Sequence, residues 1–190
     1  MSDSRSEALF SAGVAVVVVL AIAAALRARR GGAPPSTVVI PERWASLRQL
    51  HPQAQARFLA LFQLIEARTG GKVIYGRNSG YRLKLKAGEL PAYHYFGLAH
   101  DINVVLADGT QLMMGTPKAT WEASGVPAII RAAGFRWGGD FSKAEVGAKE
   151  GDPVHVDLGT VYPIAALRSA ALARAGKYAG FDARQLPLAA

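Results

Sequence analysis

Two histidines and an aspartate lie inside an otherwise apolar stretch of the chain, which reads AYHYFGLAHDINVV over residues 92–105. The whole chain contains only four histidines, so half of them fall in this stretch. Burying an imidazole or a carboxylate is unfavourable unless each polar atom finds a partner. Whatever this chain folds into must therefore supply partners for these side chains, and a metal ion is one such partner.

The composition narrows the possible metal ligands and binding partners. There is no cysteine, which excludes disulfides and thiolate metal sites and leaves His, Asp and Glu as ligands for any metal. The formal net charge of +8 favours attraction to an anionic partner such as nucleic acid, lipid headgroups or an acidic cell-wall polymer. The arginines are scattered, and no aromatic-basic RNA-binding signature or zinc-finger spacing is present, so we do not expect a nucleic-acid partner. The sequence leaves the oligomeric state open.

The amino-terminal segment is strongly apolar. Residues 8–26, ALFSAGVAVVVVLAIAAAL, carry no charge, and as a helix rising about 1.5 Å per residue they span close to the roughly 30 Å hydrocarbon core of a bilayer. Basic residues and then GGAPPS follow at once, which is typical of a membrane boundary and a spacer. We predict one transmembrane helix, acting as an anchor, within residues 1–30 and a linker over residues 31–42. A cleaved signal peptide and a buried helix of a soluble domain are the alternatives.

The helical period of apolar residues predicts several helices in the rest of the chain. Over residues 44–65, apolar residues recur at three- and four-residue steps, which indicates one amphipathic helix or two short helices meeting at His51 and Pro52. The same spacing predicts a helix over residues 120–133 and a short alanine-rich helix over residues 164–175. Because His51 precedes a proline at a helix boundary, we expect it on the surface.

Other segments have the pattern of strands. Residues 72–75 form a short strand candidate, and HYFGLAHDINVVL continues into a strand that ends in a turn at residues 107–109, with residues 111–114 as its hairpin partner. In DPVHVDLG, residues 152–159, the two valines and the leucine face one way, and the histidine and second aspartate face the other.

Three polar side chains stand out as candidate metal ligands, namely His94, Asp101 and His155. A zinc ion with three protein ligands and one open position needs about this set of imidazoles and carboxylates. The gap between His94 and Asp101 requires a turn through Gly97, where glycine permits a close approach. Asp152 lies three residues before His155, and a carboxylate beside a metal can take a proton from water and pass it to a leaving amine.

The motifs around these residues resemble those of a known enzyme family. HYFGLAHD fits the HxxGxAxD motif, and DPVHVD fits the DxxH motif, of the zinc D-Ala-D-Ala carboxypeptidase and L-Ala-D-Glu endopeptidase family, which includes VanY-like enzymes and phage endolysins. GFRWGGDF is similar to the GxxWGGD segment of that family, and NSGYR is similar to its SGYR segment. The four segments occur in family order, and the resemblance covers roughly residues 43–160.

This resemblance implies a role for each matching residue. His94, Asp101 and His155 match the ligands of Zn²⁺, and Asp152 matches the catalytic base. Arg82 matches the arginine that steadies the substrate or the developing oxyanion, a role that suits its permanent charge and its forked donors.

The resemblance also covers residues next to the ligands. Trp137 and Asp140 match positions near the site, and we expect them to contact the substrate. Asp157 follows a ligand by two residues on the same strand face, and we expect it to hydrogen-bond to that ligand. His100 occupies a variable motif position and is expected to be structural or exposed. The chain departs from the family at Ala92, where many relatives have serine, and in LKLKAGELP, which lacks a glutamine common in relatives; both departures concern substrate positioning.

The resemblance implies a fold class and an activity. We expect an α+β domain over residues 43–162, with a small antiparallel sheet and flanking helices, followed by a C-terminal helix and tail over residues 163–190. The implied activity is zinc-dependent cleavage of peptidoglycan stem peptides. The WGGD segment and the compact size favour an L-Ala-D-Glu endopeptidase. A D-Ala-D-Ala carboxypeptidase is one alternative, and a non-catalytic, zinc-stabilised module that binds cell wall is an alternative from another class.

The implied substrate and the charges after the apolar segment give opposite predictions of topology. Arg27, Arg29 and Arg30 favour a cytoplasmic domain through the positive-inside tendency, although long domains are translocated despite flanking charge. A peptidoglycan substrate requires the domain to reach the wall. We therefore predict a single-pass membrane protein whose catalytic domain faces the periplasm or cell wall, or a domain secreted after signal cleavage.

Overall fold

The computed structural model describes residues 38–75, 79–82, 85, 89–146 and 151–188. The predicted membrane or signal segment and most of the predicted linker lie outside these residues. Among the described residues, no helix has the length and apolar character needed to cross a bilayer.

The described part of the chain is α+β, as the sequence predicted, and its strands form two small antiparallel sheets. The α-helices are α1 (Pro52–Thr69), α2 (Lys118–Ala123), α3 (Val126–Ala132), α4 (Lys143–Val146) and α5 (Ile164–Ala175). The 3-10 helices span Glu42–Gln49, Gly138–Asp140 and Ala183–Gln185. The strands are β1 (Lys72–Ile74), β2 (Ala99–Asp101), β3 (Asn103–Val105), β4 (Gln111–Leu112), β5 (Arg136–Trp137) and β6 (His155–Asp157).

Each sheet contains three strands, in the orders β1-β3-β4 and β2-β6-β5. The single strand expected through HYFGLAHDINVVL is wrong, because β2 and β3 belong to different sheets. Ile102 lies between them, is fully buried, and donates its backbone N–H to Val154 O at 2.8 Å. The chain therefore changes sheets at one buried residue. The predicted hairpin is confirmed by the antiparallel pairing of β3 with β4.

Helix α1 packs an apolar face against β1, α3 and the 3-10 helix that precedes it. It begins at Pro52, whose missing N–H suits the first turn, and it ends at Gly70, which adopts the left-handed conformation with φ 63°. Its buried residues recur at three- and four-residue steps, as expected for one face of a helix: Ala54, Phe58, Leu61, Phe62 and Ile65. A 3-10 helix precedes it, so of the two alternatives that the sequence left open, two helices meeting at His51 and Pro52 is confirmed.

His51 is not on the surface, which corrects the sequence prediction. Only 4% of the residue is exposed. Its Nδ1 accepts the N–H of Gln53 at the start of α1, and its Nε2 donates to Leu186 O at 2.9 Å. Burial lowers the pKa of His51. Both ring nitrogens of His51 thus have hydrogen-bond partners, one at the start of α1 and one at the carbonyl of Leu186. The local sequence indicated only that His51 lies at a helix boundary.

The helix expected over residues 120–133 is divided into α2 and α3. Gly125 separates them with a left-handed φ of 76°, and Pro127 follows in the first turn of α3. A proline lacks the N–H that a continuous helix would use at that position, but it is tolerated in the first turn of a new one. The two short helices are the consequence.

The C-terminal part of the chain packs into the same core. Helix α5 has the bounds that the sequence predicted and buries Leu167 and Ala171. The segment that follows it buries Ala183, Leu186 and Leu188. Residues 164–188 therefore contribute apolar surface to the domain that holds the candidate site.

We predict that Gly97→Ala destabilises the fold more than Gly109→Ala. Both glycines have a positive φ, 65° and 86°, so each alanine incurs about 1–2 kcal/mol of backbone strain. A Cβ on Gly97 would also lie 2.6 Å from His51 N, which adds about 1–3 kcal/mol of overpacking, whereas a Cβ on Gly109 meets no described atom within 4 Å. Denaturant unfolding of the metal-free proteins measures the difference, and equal losses of unfolding free energy would contradict this account.

Candidate metal centre

The pairing of β2 with β6 brings two of the predicted ligands together. Asp101 and His155 are directly opposite each other in this antiparallel register. Residues that are opposite across a ladder have their side chains on the same face of the sheet. The distance between Asp101 Oδ1 and His155 Nδ1 is 3.4 Å.

His94 reaches the same point from the turn that precedes β2. The N–H of Gly97 donates to His94 O at 3.1 Å, and Gly97 has a left-handed φ of 65°. This turn reverses the chain, so that His94 Nε2 lies 3.0 Å from Asp101 Oδ1 and 3.1 Å from His155 Nδ1. The predicted turn through Gly97 is confirmed.

The three distances fit a tetrahedral zinc site. Zinc binds histidine nitrogen and carboxylate oxygen at about 2.0–2.1 Å, and in a regular tetrahedron this corresponds to about 3.3–3.4 Å between ligand atoms. The observed separations of 3.0, 3.1 and 3.4 Å lie at or slightly below that range. A small movement apart on metal binding would complete the geometry.

The hydrogen bonds on the far side of each imidazole fix the atom that faces the cluster. His94 Nδ1 lies 2.6 Å from Gly80 O, and since a carbonyl only accepts, Nδ1 carries the proton and Nε2 carries a lone pair. His155 Nε2 lies 3.0 Å from the carboxylate of Asp157, which assigns the lone pair of the neutral ring to Nδ1. Two nitrogen lone pairs and a carboxylate oxygen thus face one position, an arrangement that a divalent cation stabilises. The residues fit zinc.

The charges in the cluster depend on one another in the metal-free protein. Burial would raise the pKa of Asp101, but hydrogen bonds to His155 and His94 lower it far below its usual range. Burial would lower the pKa of His155, but the carboxylates of Asp101 and Asp157 raise it to about 9. A proton on His155 therefore balances part of the negative charge that a metal ion would balance when bound.

Asp157 hydrogen-bonds to His155, as the sequence predicted. Asp157 is in turn held by Arg136, a partner that the sequence analysis did not identify. The carboxylate is fully buried and accepts two hydrogen bonds from Arg136, with Nε to Oδ1 at 2.9 Å and Nη2 to Oδ2 at 2.8 Å. The guanidinium also lies over the rings of Phe141 and Tyr93, at 4.6 and 5.1 Å. An arginine between two large aromatic residues in FRWGGD was the signal that could have identified Arg136.

Of the two alternatives predicted for His100, structural or exposed, the structural one is confirmed. It is fully buried, and its Nδ1 donates to Asp101 O at 2.9 Å while its Nε2 accepts the hydroxyl of Ser46 at 2.8 Å. Burial lowers the pKa of His100 to about 4. The neutral imidazole of His100, within β2, thus fixes the backbone of the candidate ligand Asp101 without contacting the atoms that face the cluster.

Asp152 stands in the same electrostatic environment but is held differently. Its backbone is fixed in a turn, with N donating to Gly138 O at 2.7 Å and O accepting from His155 N at 2.9 Å. The carboxylate oxygen Oδ1 is buried and has no hydrogen-bond partner among the described residues. Burial raises the pKa of Asp152, against a lowering contribution from His155. The structure thus provides a carboxylate that is fixed at its backbone and unpaired at one buried oxygen.

Arg82 contacts two of the candidate ligands directly. Its Nη2 donates to Asp101 Oδ2 at 3.0 Å, and its backbone N–H donates to His94 O at 3.1 Å. The side chain is 58% exposed. Arg82 therefore orients the carboxylate oxygen that faces away from the cluster and remains accessible from solvent.

Trp137 and Asp140 lie beside the cluster rather than in it. Trp137 is buried, with its indole N–H donating to Pro153 O at 2.7 Å, and Asp140 forms a two-pronged ion pair with Arg131. Both line a surface cavity of about 220 Å³ next to Phe141. The ring of Phe141 lies 5.3 Å from that of the candidate ligand His155. Substrate contact by these two residues remains a prediction.

The two glycines of WGGD have steric reasons to be glycine. A Cβ on Gly138 would lie 2.2 Å from Asp152 O and 2.7 Å from His155 Cβ, and a Cβ on Gly139 would lie 2.2 Å from the ring of Trp137. Real Cβ atoms do not approach other atoms so closely. Gly138 therefore lets Asp152 and the start of β6 pack closely against the end of β5, and Gly139 makes room for the ring of Trp137.

The comparison with known families agrees with this site. The family model described as D-alanyl-D-alanine carboxypeptidase matches residues 86–158. This range contains the three candidate ligands, Asp152 and Asp157, whereas Arg82 lies just before it. The match confirms the resemblance to the VanY-like family and supports a peptidase. No curated protein matches the chain significantly.

We predict that Asp157→Asn weakens zinc binding by roughly 10- to 100-fold, because the neutral amide no longer polarises His155. Competition with a chromophoric chelator measures the dissociation constant. Asp140→Asn is the matched control, since Asp140 also pairs with an arginine in two-pronged fashion but contacts no ligand. Equal zinc affinity in the two variants would contradict the role assigned to Asp157.

Proposed function

We propose that this domain is a zinc-dependent peptidase that hydrolyses the stem peptides of peptidoglycan. One observation carries the proposal: His94, Asp101 and His155 direct lone pairs at a single position, and Asp152, in the same electrostatic environment, has a buried carboxylate oxygen with no hydrogen-bond partner among the described residues. The match to D-alanyl-D-alanine carboxypeptidases supports a peptide of the cell wall as the substrate class.

The protein residues divide the chemistry between holding the metal and moving a proton. His94, Asp101 and His155 would hold the zinc ion, which when bound supplies a Lewis acid that polarises a peptide carbonyl and acidifies water. Asp152 accepts the proton of the attacking water on its carboxylate and transfers it to the nitrogen of the leaving amine. Its raised pKa suits both steps, because a base with a pKa nearer to neutrality accepts a proton and gives it back more readily.

Arg82 is suited to stabilise negative charge on the substrate. Its guanidinium is planar and has five N–H donors in a fork that fits the oxygens of an oxyanion or a carboxylate. One nitrogen is engaged with Asp101, and the exposed remainder of the group faces solvent beside the cluster. These donors stabilise the oxyanion that forms at the scissile carbonyl, or a carboxylate of the bound peptide.

Two positions of cleavage are chemically compatible with the site. The compact domain and its WGGD segment favour an endopeptidase that cuts between L-Ala and D-Glu. The description of the matched family favours removal of the terminal D-Ala by a carboxypeptidase. Either activity requires the domain to reach the wall, so we also propose that the amino-terminal apolar segment anchors it in the membrane with the domain on the outer side, or is removed as a signal peptide.

We predict that Asp152→Asn retains zinc and fold but lowers kcat by about 10²–10⁴-fold, the usual contribution of a general base. Hydrolysis of purified peptidoglycan and a zinc titration on the same preparation measure the two properties. Asp108→Asn makes the same chemical change at an exposed hairpin position and should leave kcat unchanged. Full activity in Asp152→Asn would refute the proposed base, and a wild-type protein that binds wall and zinc without hydrolysing any peptide would favour the non-catalytic module.

We predict that digestion of purified cell wall releases new L-Ala carboxyl ends and D-Glu amino ends. Mass spectrometry of the soluble and insoluble products identifies the termini. Release of free D-Ala alone would refute the endopeptidase and favour the carboxypeptidase. A chelator-treated sample is the control, and its activity should return on addition of zinc.

A further inference from the structure

Residues 79–82 form a short segment that supports two of the candidate ligands at once. Gly80 O accepts from His94 Nδ1 at 2.6 Å, and Ser79 O accepts from the N–H of Asp101 at 2.6 Å. Arg82 adds its bonds to His94 O and Asp101 Oδ2. The position of this segment therefore sets the tautomer of one ligand and the orientation of the other.

The side chain of Tyr81 connects this segment to the C-terminal part of the chain. Its hydroxyl donates to Asp182 Oδ1 at 2.9 Å. The guanidinium of Arg184 lies over the tyrosine ring at 4.3 Å. The same guanidinium donates to both oxygens of Asp182, at 2.8 and 2.7 Å. The acceptor is thus an oriented carboxylate, and hydrogen bonds from Arg184 hold the pKa of Asp182 at about 2, so it is ionised at neutral pH.

Asp182 is held in place without help from Tyr81. The segment around it buries Leu186, whose carbonyl accepts from His51 Nε2 at 2.9 Å. The hydroxyl of Tyr95 donates to Phe181 O at 2.7 Å. These contacts hold the C-terminal segment whether or not Tyr81 is bonded to it. The bond between Tyr81 and Asp182 therefore restrains residues 79–82, which support the candidate ligands.

We propose that Asp182 is a positioning residue of the metal centre, acting through the hydroxyl of Tyr81 on residues 79–82. The inference rests on the zinc site of the proposed function but not on peptide hydrolysis. Asp182 touches neither the ligands nor the reacting atoms. Its effect is to keep Gly80 O and Arg82 at the places where they orient His94 and Asp101.

Zinc affinity of the chain of residues 1–190 tests this role. Tyr81→Phe removes one hydroxyl and keeps the ring beneath Arg184, and we expect the zinc dissociation constant to rise roughly tenfold, the lower end of the range for groups that orient metal ligands. The visible absorption of the cobalt(II)-loaded protein should change with it, because that spectrum reports ligand geometry. Chelator competition and absorption spectroscopy measure both without a peptide substrate.

Two variants of Asp182 separate the hydrogen bond from the ion pair. Asp182→Asn keeps an oxygen that can accept from Tyr81 but loses the charge that Arg184 binds, whereas Asp182→Ala loses both. We expect Asp182→Asn to bind zinc more tightly than Asp182→Ala. Combining Tyr81→Phe with Asp182→Ala should give no loss beyond that of Asp182→Ala, because both changes break the same bond.

Tyr95→Phe is the matched control. It removes a tyrosine hydroxyl that is also bonded to the C-terminal segment, but its contact does not pass through residues 79–82. We expect it to lower the unfolding free energy in chelator but to raise the zinc dissociation constant much less than Tyr81→Phe does, because the bond from His51 to Leu186 O still holds the C-terminal segment.

The outcomes are distinct. Wild-type zinc affinity in Tyr81→Phe, an equal loss in Tyr95→Phe, or equal affinities in the two Asp182 variants would each overturn the positioning role. Failure of the wild-type chain to bind zinc would overturn this inference together with the proposed function. Zinc binding without peptide hydrolysis would overturn the proposed function alone.

Discussion

The convergence of three lone pairs on one position is the interaction on which the rest of the site depends. Two imidazole nitrogens and a carboxylate oxygen within 3.4 Å of one another repel unless a cation or a proton lies among them. The surrounding structure makes this arrangement unavoidable by occupying the other polar atom of each ligand. The carbonyl of Gly80, the carboxylate of Asp157 and the guanidinium of Arg82 take these atoms, so none of the ligands can turn away to find a partner elsewhere.

The convergence of the three candidate ligands could be predicted from the sequence because each lies in a short motif whose residue types are dictated by chemistry or by sterics. The alternation in HVD placed His155 and Asp157 on one face, and their 3.0 Å hydrogen bond agrees with that placement. The glycines of the motifs also have local causes, a left-handed turn at Gly97 and a close approach at Gly138. The ends of α1 and α5 follow capping rules that operate within a few residues.

The remaining features depend on partners that are distant in the sequence. The change of sheet at Ile102, the burial of His51 and the attachment of Tyr81 to the C-terminal segment all rest on hydrogen bonds between residues more than 50 positions apart. Two of these bonds end on backbone carbonyls, which every residue type provides, so no side-chain pattern marks them. Arg136 could be predicted only in part. The sequence shows that it stands between two aromatic residues, but its carboxylate partner Asp157 lies 21 residues away in the chain.

Asp152 and Asp157 lie on either side of His155 in the sequence, and their surroundings shift their pKa values in opposite directions. Burial raises the pKa of Asp152, whose Oδ1 has no partner among the described residues. Burial would raise the pKa of Asp157 as well, but hydrogen bonds from Arg136 and His155 lower it. A carboxylate that orients a ligand must stay ionised with every oxygen occupied, whereas one that moves a proton needs a free oxygen and a pKa closer to neutrality. Under the proposed function, the same residue type thus orients a candidate metal ligand at one position and transfers protons at the other, and the hydrogen bonds that Asp157 accepts from Arg136 and His155 account for the difference.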